Sequence, residues 1–396
     1  MIGLGYIGLP TAALLASKEF NVVGVDTDEN VVNIINKGEI HIIEPSLMDY
    51  VSKGVRSNFL KAYTEPQESD IYIICVPTPF YDDSEIPEPN IEFVLDAVNS
   101  ILHLLKEGDT IILESTSPVG TSEKILSVLN NHNLKNINLA YCPERVLPGN
   151  IMHELVTNDR VVGGIDKNST DFVSSFFKIF VEGEVIETDS KTAEMCKLVE
   201  NSFRDINIAF ANELSILCDN KGIDPWELIN IANRHPRVNI LKPGPGVGGH
   251  CIAVDPWFIV SMDEKNSKLI KTAREVNNFK TKWAVNKIKT TISDISHKIG
   301  RQPRLSFLGL SFKPDIDDLR ESPAMKIVEK FKKDGYEFIV SEPNISTHSD
   351  FKITTYEEAI ENSDIIVILV KHKEFLDLNF PDDKVVIDFC GINEKS

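Results

Sequence analysis

The chain has 396 residues and a formal charge of −19, with 42% apolar and 26% charged residues. That length favours two or three domains, and the composition is that of a globular protein. The acidic balance argues against nucleic acid or an anionic membrane as a partner, and it requires any anionic ligand to be met by a local gathering of Lys and Arg.

The longest aliphatic run, Ile365 to Val370, is far too short to cross a bilayer. The first residues carry no basic stretch and no cleavage-like site, so export is not expected. The six cysteines lack CxxC spacing. This argues against a zinc site or a disulfide framework and for a reducing, cytoplasmic setting.

The chain opens with MIGLGYIGLP, in which Gly3, Gly5 and Gly8 form GxGxxG. A helical stretch, Leu9 to Phe20, follows, and then NVVGVD, a strand ending in Asp26. In that context the glycines give a tight turn, close approach of backbone to a pyrophosphate and close helix–strand packing. Phosphate would lie at the helix N-terminus. Asp26 stands 18 residues after Gly8, where a carboxylate meets a ribose 2′-hydroxyl and repels a 2′-phosphate, so NAD is expected rather than NADP. Only Met1 and Ile2 precede the turn, against about five or six residues in an ordinary strand. The first strand is therefore expected to be truncated to a stub.

Three apolar runs follow, at Asp70–Pro77, Asp109–Thr116 and Ile137–Glu144. They read as parallel strands buried on both faces. Helical stretches at Ile91–Leu105 and Thr121–Asn130 separate them. Thr78, Thr116 and Glu144 fall at or beyond the strand C-termini, where such sheets bind ligands.

From about Thr188 to Lys298 the sequence is mostly helical. Met195, Val199, Ile206, Phe210, Leu214 and Leu217 form an apolar stripe on its first helix. Lys197, Asn201 and Arg204 share another face, and further apolar residues leave little of the helix polar. Such a helix is expected to be buried, which would give these three an anionic or polar partner. Arg234, His235, Arg237 and Lys242 follow just ahead of the loop PGPGVGGHCIAVDPWF, and Lys313 and Arg320 lie after a later strand. The expected strands of the last hundred residues are Leu305–Leu310, Tyr336–Pro343, Asp364–Val370 and Lys384–Phe389. ESDIYIICV near residue 70 is echoed by NSDIIVILV near residue 365. The fold expected is α/β: two Rossmann-like parallel-sheet domains joined by a central helical domain, with divisions at 1–187, 188–298 and 299–396.

GLGYIG, VPTP, ESTSPVG, CPERVLPG, KLVENSFRDINIAFANEL, GVGGHCIAVD and GLSFKPDIDDLRESP, occurring in this order, together resemble the UDP-glucose/GDP-mannose dehydrogenase family over essentially the whole chain. RHPRVNIL with GPGVGGHCIAVDPWF most resembles the members acting on UDP-N-acetyl-D-mannosamine; UDP-N-acetylglucosamine and UDP-glucose remain as alternatives. The resemblance implies four-electron oxidation of a sugar C6 alcohol to a carboxylate with two NAD. It also implies a helical dimerisation segment, hence a homodimer or higher homo-oligomer, and a role in surface polysaccharide synthesis.

Residue by residue, the resemblance makes Cys251 the nucleophile, carrying thiohemiacetal and thioester intermediates. Asp255 is a carboxylate assisting proton transfer. Lys197 is the general acid/base with Asn201 beside it, and Thr116 and Glu144 order the hydrolytic water. Gly3, Gly5, Tyr6, Ile7, Gly8, Asp26, Thr78, Thr116 and Arg320 are the implied cofactor contacts. Arg145, Val146, Lys197, Asn201, Arg204, His235, Arg237, Gly248 and Lys313 are the implied substrate contacts, with Arg237 acting in its own chain or in a partner. His250, although adjacent to Cys251, is not assigned as the base. Two other readings stand beside this one: a two-electron β-hydroxyacid dehydrogenase and a non-catalytic nucleotide-sugar or NAD sensor.

Overall fold

Near-continuous apolar runs become four-residue strands covered on both faces: TIIL at Thr110–Leu113, LSFL at Leu305–Leu308 and IIVI at Ile365–Ile368 are each buried throughout. The computed structural model describes residues 1–81, 86–249, 251–376 and 378–392. His250 lies outside the described residues. The chain divides into two units, Met1–Val199 and Glu200–Ser396.

The first unit contains α1 (Gly8–Ser17), β1 (Val22–Val25), α2 (Glu29–Asn36), α3 (Leu47–Arg56), β2 (Leu60–Tyr63), β3 (Ile71–Ile74) and α4 (Glu92–Ile101). It continues through β4 (Thr110–Leu113), α5 (Thr121–Asn131), β5 (Asn138–Tyr141), α6 (Ile151–Thr157), β6 (Arg160–Gly164), α7 (Lys167–Phe177) and β7 (Val185–Asp189) to the start of α8 (Ser190–Lys221). β1 pairs with β2, and a five-stranded sheet runs β3-β4-β5-β6-β7. Ile2 joins the two by parallel bridges to Val25 and Ile74. Its N–H donates to Ile73 O and its carbonyl accepts from Cys75 N–H, each at 2.8 Å. With Ile2 in the first position, the order β2-β1-Ile2-β3-β4-β5 is the 3-2-1-4-5-6 arrangement of dinucleotide folds. β5 and β6 alone pair antiparallel in this sheet.

Alternate residues of each strand serve opposite faces. Ile73 and Ile112 pack with Leu4, Leu9, Leu14 and Ile35 on one side. Ile74, Ile111 and Leu113 pack with Val94, Val98 and Leu129 on the other. Each such fully buried Leu, Ile or Val contributes about 1.5–3 kcal/mol.

The second unit holds most of α8, then α9 (Pro225–Ala232), α10 (Asp255–Met262), α11 (Lys268–Ile299), β8 (Leu305–Leu308), α12 (Pro323–Lys333), β9 (Phe338–Ser341), β10 (Ile353–Thr354), α13 (Tyr356–Glu361), β11 (Ile365–Ile368) and β12 (Val385–Asp388). Its sheet is wholly parallel, in the order β10-β9-β8-β11-β12. That is a second 3-2-1-4-5 arrangement. β3 and β11, the strands of the sequence echo, occupy the same fourth position in their sheets.

The second unit also corrects the expectation for the middle helix. The expected stripe does not lie in the core of this chain: Phe210 and Leu217 are 53% and 54% exposed, as is Phe203 at 65%. The buried face of α8 mixes Asn201, Asp205, Asn212 and Ser215 with Leu198, Ala209, Ala211 and Cys218. Its polar residues are met largely by α11, from which Arg274 pairs with Asp205 at 2.6 Å, Asn277 donates to Asp205 and accepts from Asn212, and Lys280 donates to Ser215 at 2.7 Å. Buried polar groups need such partners, so apolar periodicity named the wrong face.

Candidate active site

The glycine turn meets the requirements of a dinucleotide cradle one residue at a time. Gly3 has φ +89, and a Cβ there would stand 2.5 Å from Cys75 O. A Cβ on Gly8 would stand 1.9 Å from Gly3 O, so the start of α1 must be glycine for the turn to close. A Cβ on Gly5 would meet nothing within 4 Å, and Gly5 is exposed. Turn, open approach and close packing are thus divided among the three glycines as dinucleotide binding needs. Ile7 is the N-cap of α1, and Tyr6 is half-buried beside it. Asp26 is half-buried and accepts from Leu4 N–H and Asp28 N–H, each at 3.0 Å. Its carboxylate therefore braces the glycine turn at the place where a ribose would be read. These residues fit NAD.

Beyond the strand ends of the same unit, Thr78 Oγ1 donates to Thr116 O at 2.7 Å, tying the loops after β3 and β4. Lys197 Nζ donates to Glu144 O at 2.7 Å. The Glu144 carboxylate is buried, accepts from Arg145 N–H at 2.6 Å and is ion-paired with Arg160, itself 1% exposed on β6. Burial acts first and strongly against that guanidinium's charge, yet Glu144 and its acidic neighbours hold Arg160 charged. Arg145 also donates to Asp159 O, and Val146 packs on the core.

Buried carboxylates fix the loops that carry these residues. Glu44 accepts from Gly149 N–H and Ile151 N–H at the start of α6, and Glu194 of α8 accepts from Gly120 and Ser122 N–H at the start of α5. Glu114 is raised to about 7, first by burial; Cys75 donates to it at 3.0 Å, and its own thiol is pushed well up by burial.

In the second unit Cys251 is an exposed thiol. Its carbonyl accepts from Val254 and Asp255 N–H at 3.0 and 2.8 Å, turning the chain into α10. Asp255, the first residue of α10, is 3% exposed and accepts from Asn201 Nδ2 at 2.6 Å. The preceding loop is held by Asn212, which accepts from Gly244 N–H, and by Thr281, which donates to Pro245 O. A Cβ on Gly248 would stand 2.5 Å from Glu321 O and 2.7 Å from Pro323 Cδ, and one on Gly249 would stand 2.7 Å from the Phe312 ring. These glycines let the cysteine loop lie against the loop after β8.

Lys313 is half-buried on that β8 loop. Arg320 is exposed and paired with Asp318 through Nε at 2.9 Å and Nη2 at 2.7 Å. Arg204, His235 and Arg237 are exposed, and His235 Nδ1 accepts from Arg237 N–H at 3.3 Å. The structure thus joins Thr78 to Thr116, Lys197 to Glu144 and Asn201 to Asp255, and sets Gly248 on protein backbone; Arg204 and Arg320 face outward. Sequence reasoning missed Arg160, Glu44, Glu114 and Glu194. Glu114 stands inside a quoted motif, but a charged residue in an apolar run announces its partner only once the fold is known.

Three family models cover most of the chain: the NAD binding domain of the UDP-glucose/GDP-mannose dehydrogenase family matches residues 1–181, the central domain 191–279 and the UDP binding domain 306–395. The UDP-N-acetyl-D-mannosamine dehydrogenase of Campylobacter jejuni is 51% identical, with 98% of each chain covered. Among solved structures, the UDP-N-acetyl-mannosamine dehydrogenase of Staphylococcus aureus is 39% identical with a TM-score of 0.89, covering 99% of this chain and 98% of that one. The UDP-D-ManNAc dehydrogenase of Pyrococcus horikoshii is 35% identical with a TM-score of 0.90, covering 99% and 94%. On these matches the chain belongs to the UDP-glucose/GDP-mannose dehydrogenase family, and its cofactor is NAD.

Proposed function

We propose that this chain oxidises the C6 hydroxyl of UDP-N-acetyl-D-mannosamine to the carboxylate, giving UDP-N-acetyl-D-mannosaminuronate. The observation that carries the reading is Cys251 exposed at the entry to α10, with Asp255 buried one turn on and fixed by Asn201. NAD, when bound, accepts the hydride lost in each of the two oxidations. Lys197 takes the hydroxyl proton as the first hydride leaves C6. Cys251 then adds to the aldehyde as thiolate, forming a C–S bond, while Lys197 and Asn201 hold the developing oxyanion; one such donor is worth roughly 3–4 kcal/mol in other enzymes. Loss of the second hydride gives a thioester on Cys251. Water ordered by Thr116 and Glu144 adds to that carbonyl, the C–S bond breaks, and the carboxylate and the thiol are released. Glu144 also acts through its carbonyl, which holds Lys197 Nζ.

Gly3, Gly5, Tyr6, Ile7, Gly8, Asp26, Thr78, Thr116 and Arg320 would serve the cofactor. Arg145, Val146, Arg204, His235, Arg237, Gly248 and Lys313 would serve the UDP-sugar. The functional divisions are 1–187 for NAD, 188–298 for helical association and 299–396 for UDP, in line with the three matched family models. Phe203, Phe210 and Leu217 recur every seven residues on the exposed face of α8, which supports a homodimer formed through that helix. The setting is cytoplasmic synthesis of surface polysaccharide; among the described residues no helix is long and apolar enough to cross a membrane.

The test is NADH released from a panel of UDP-N-acetylmannosamine, UDP-N-acetylglucosamine and UDP-glucose, with products identified by mass. The expected result is two NADH per UDP-N-acetylmannosamine and its uronate as product. One NADH per substrate, or preference for another sugar, overturns the reading.

A further inference from the structure

His372 is fully buried just after β11, and Glu342, 2% exposed, lies just after β9. Neither has a role in the reaction described above. Asp315 N–H donates to His372 Nδ1 at 3.0 Å. A backbone N–H can only donate, so Nδ1 carries no proton and Nε2 does. That Nε2–H points at Glu342 Oε2, 3.0 Å away. Asn344 Nδ2 also approaches Nδ1 at 3.0 Å. Asp315, His372 and Glu374 bring potential ligand atoms within 4.8 Å of one another. Because Nδ1 is occupied by donors and Nε2 carries a proton, the ring has no lone pair for a cation.

The carboxylate of Glu342 also accepts from Leu310 N–H at 2.7 Å and Ser311 N–H at 3.1 Å. Burial acts first to raise it, but His372 and the backbone N–H groups outweigh burial and hold it below its ordinary range. The pair therefore grips the loop after β8 at both ends of its first turn: Glu342 at 310 and 311, His372 at 315. Between the two grips lies Lys313, whose carbonyl accepts from Ser311 Oγ at 2.7 Å. Asp315 itself has φ +61, a left-handed conformation that a non-glycine residue keeps only when its surroundings impose it. Phe312 of the same loop is the ring against which Gly249 lies, two residues before Cys251.

We propose that His372 and Glu342 are positioning residues for the nucleotide-sugar: together they set the 310–315 turn that presents Lys313 and backs the cysteine loop. This rests on the reading of Lys313 as a substrate contact. His372→Gln can still donate to Glu342 but offers no acceptor at the Nδ1 position, so the Asp315 N–H loses its partner. His372→Asn places an acceptor at the Nδ1 position and restores that bond; it gives up the Nε2–H donation, while the Glu342 carboxylate stays held by Leu310 and Ser311 N–H.

The experiment is calorimetric titration of the full-length protein and both variants with UDP and, separately, with NAD, alongside thermal unfolding. The expected result is that His372→Gln weakens UDP about tenfold, which is about 1.4 kcal/mol, with NAD affinity unchanged. His372→Asn should stay within about threefold of the original. In turnover, the glutamine variant raises KM for the UDP-sugar with kcat nearly constant. If folded His372→Gln binds UDP as the unaltered protein does, or if NAD and UDP weaken together, the proposal is overturned; lack of UDP binding by the unaltered protein overturns it as well. UDP binding is independent of which sugar is oxidised, so failure of the proposed reaction is read separately from failure of this pair.

Discussion

Asn201 Nδ2 donates to Asp255 Oδ2 across 2.6 Å, and both side chains are buried. The bond joins α8 to the first residue of α10, four positions after Cys251. Replacing Asn201 by Ala removes a donor from a buried carboxylate, which costs about 1–3 kcal/mol or more for a charged group. We expect Asn201→Ala to lower the urea midpoint and to reduce kcat by roughly 100-fold, the scale of one lost oxyanion donor. Asn201→Asp should be worse on both counts, since it sets a second carboxylate against the first. Unchanged kcat in a folded Asn201→Ala protein would remove Asn201 from the chemistry.

Cys251→Ala tests the covalent steps directly. The variant keeps the turn into α10, because that turn uses the Cys251 carbonyl rather than the thiol. We expect UDP-sugar binding to be retained and carboxylate formation to be lost, with turnover stopping at the first hydride. Mass spectrometry of the product decides it: uronate from this variant at the original rate means that the thiol is not the nucleophile.

Arg160 is the cation that makes a buried Glu144 tolerable. Removing one partner of a buried pair costs about 3–5 kcal/mol. Arg160→Met should therefore destabilise the protein by that order in urea unfolding, and it should impair turnover through the Glu144 carbonyl that holds Lys197. Arg160→Lys should rescue only in part, because Arg160 also donates through Nη2 to Leu155 O at 3.3 Å, and a single ammonium does not reproduce the fork. Full stability of Arg160→Met would show that the buried pair with Glu144 contributes nothing to the fold.

The strands were legible because burial on both faces leaves a mostly apolar run without polar alternation, as in β3, β4, β8 and β11. β6 and β7 were not: RVVGG holds a buried Arg and two glycines, and VIETD has exposed polar positions. The glycine turn and the cysteine loop could be read because each depends on local backbone. Long-range partners could not. Nothing near Arg160 in sequence names Glu144, and nothing near His372 names Asp315, since strand order alone brings them together. α8 misled for a related reason. Its apolar residues Phe203, Phe210 and Leu217 stay exposed, and it is the face carrying Asn201, Asp205 and Asn212 that its own chain covers.

Lys280 carries the last prediction. It is 2% exposed, lies 4.0 Å from the Trp283 ring centre and donates to Ser215. Burial lowers it from 10.5 to about 7, against the smaller opposing pull of Asp219 and Cys390. Between about pH 7 and 10.5 the unfolded chain therefore holds this proton while much of the folded population has released it. Stability rises with pH wherever the unfolded state binds more protons, so this lysine makes the fold more stable as pH climbs through that window. Below about 7 both states are charged and its burden is complete. Each unit of difference is worth roughly 1.4 kcal/mol. Lys280→Met should accordingly stabilise the protein at pH 7 by a few kcal/mol and flatten the rise in urea midpoint between pH 7 and 10. A midpoint that climbs with the same slope in the methionine variant would show that Lys280 does not titrate there.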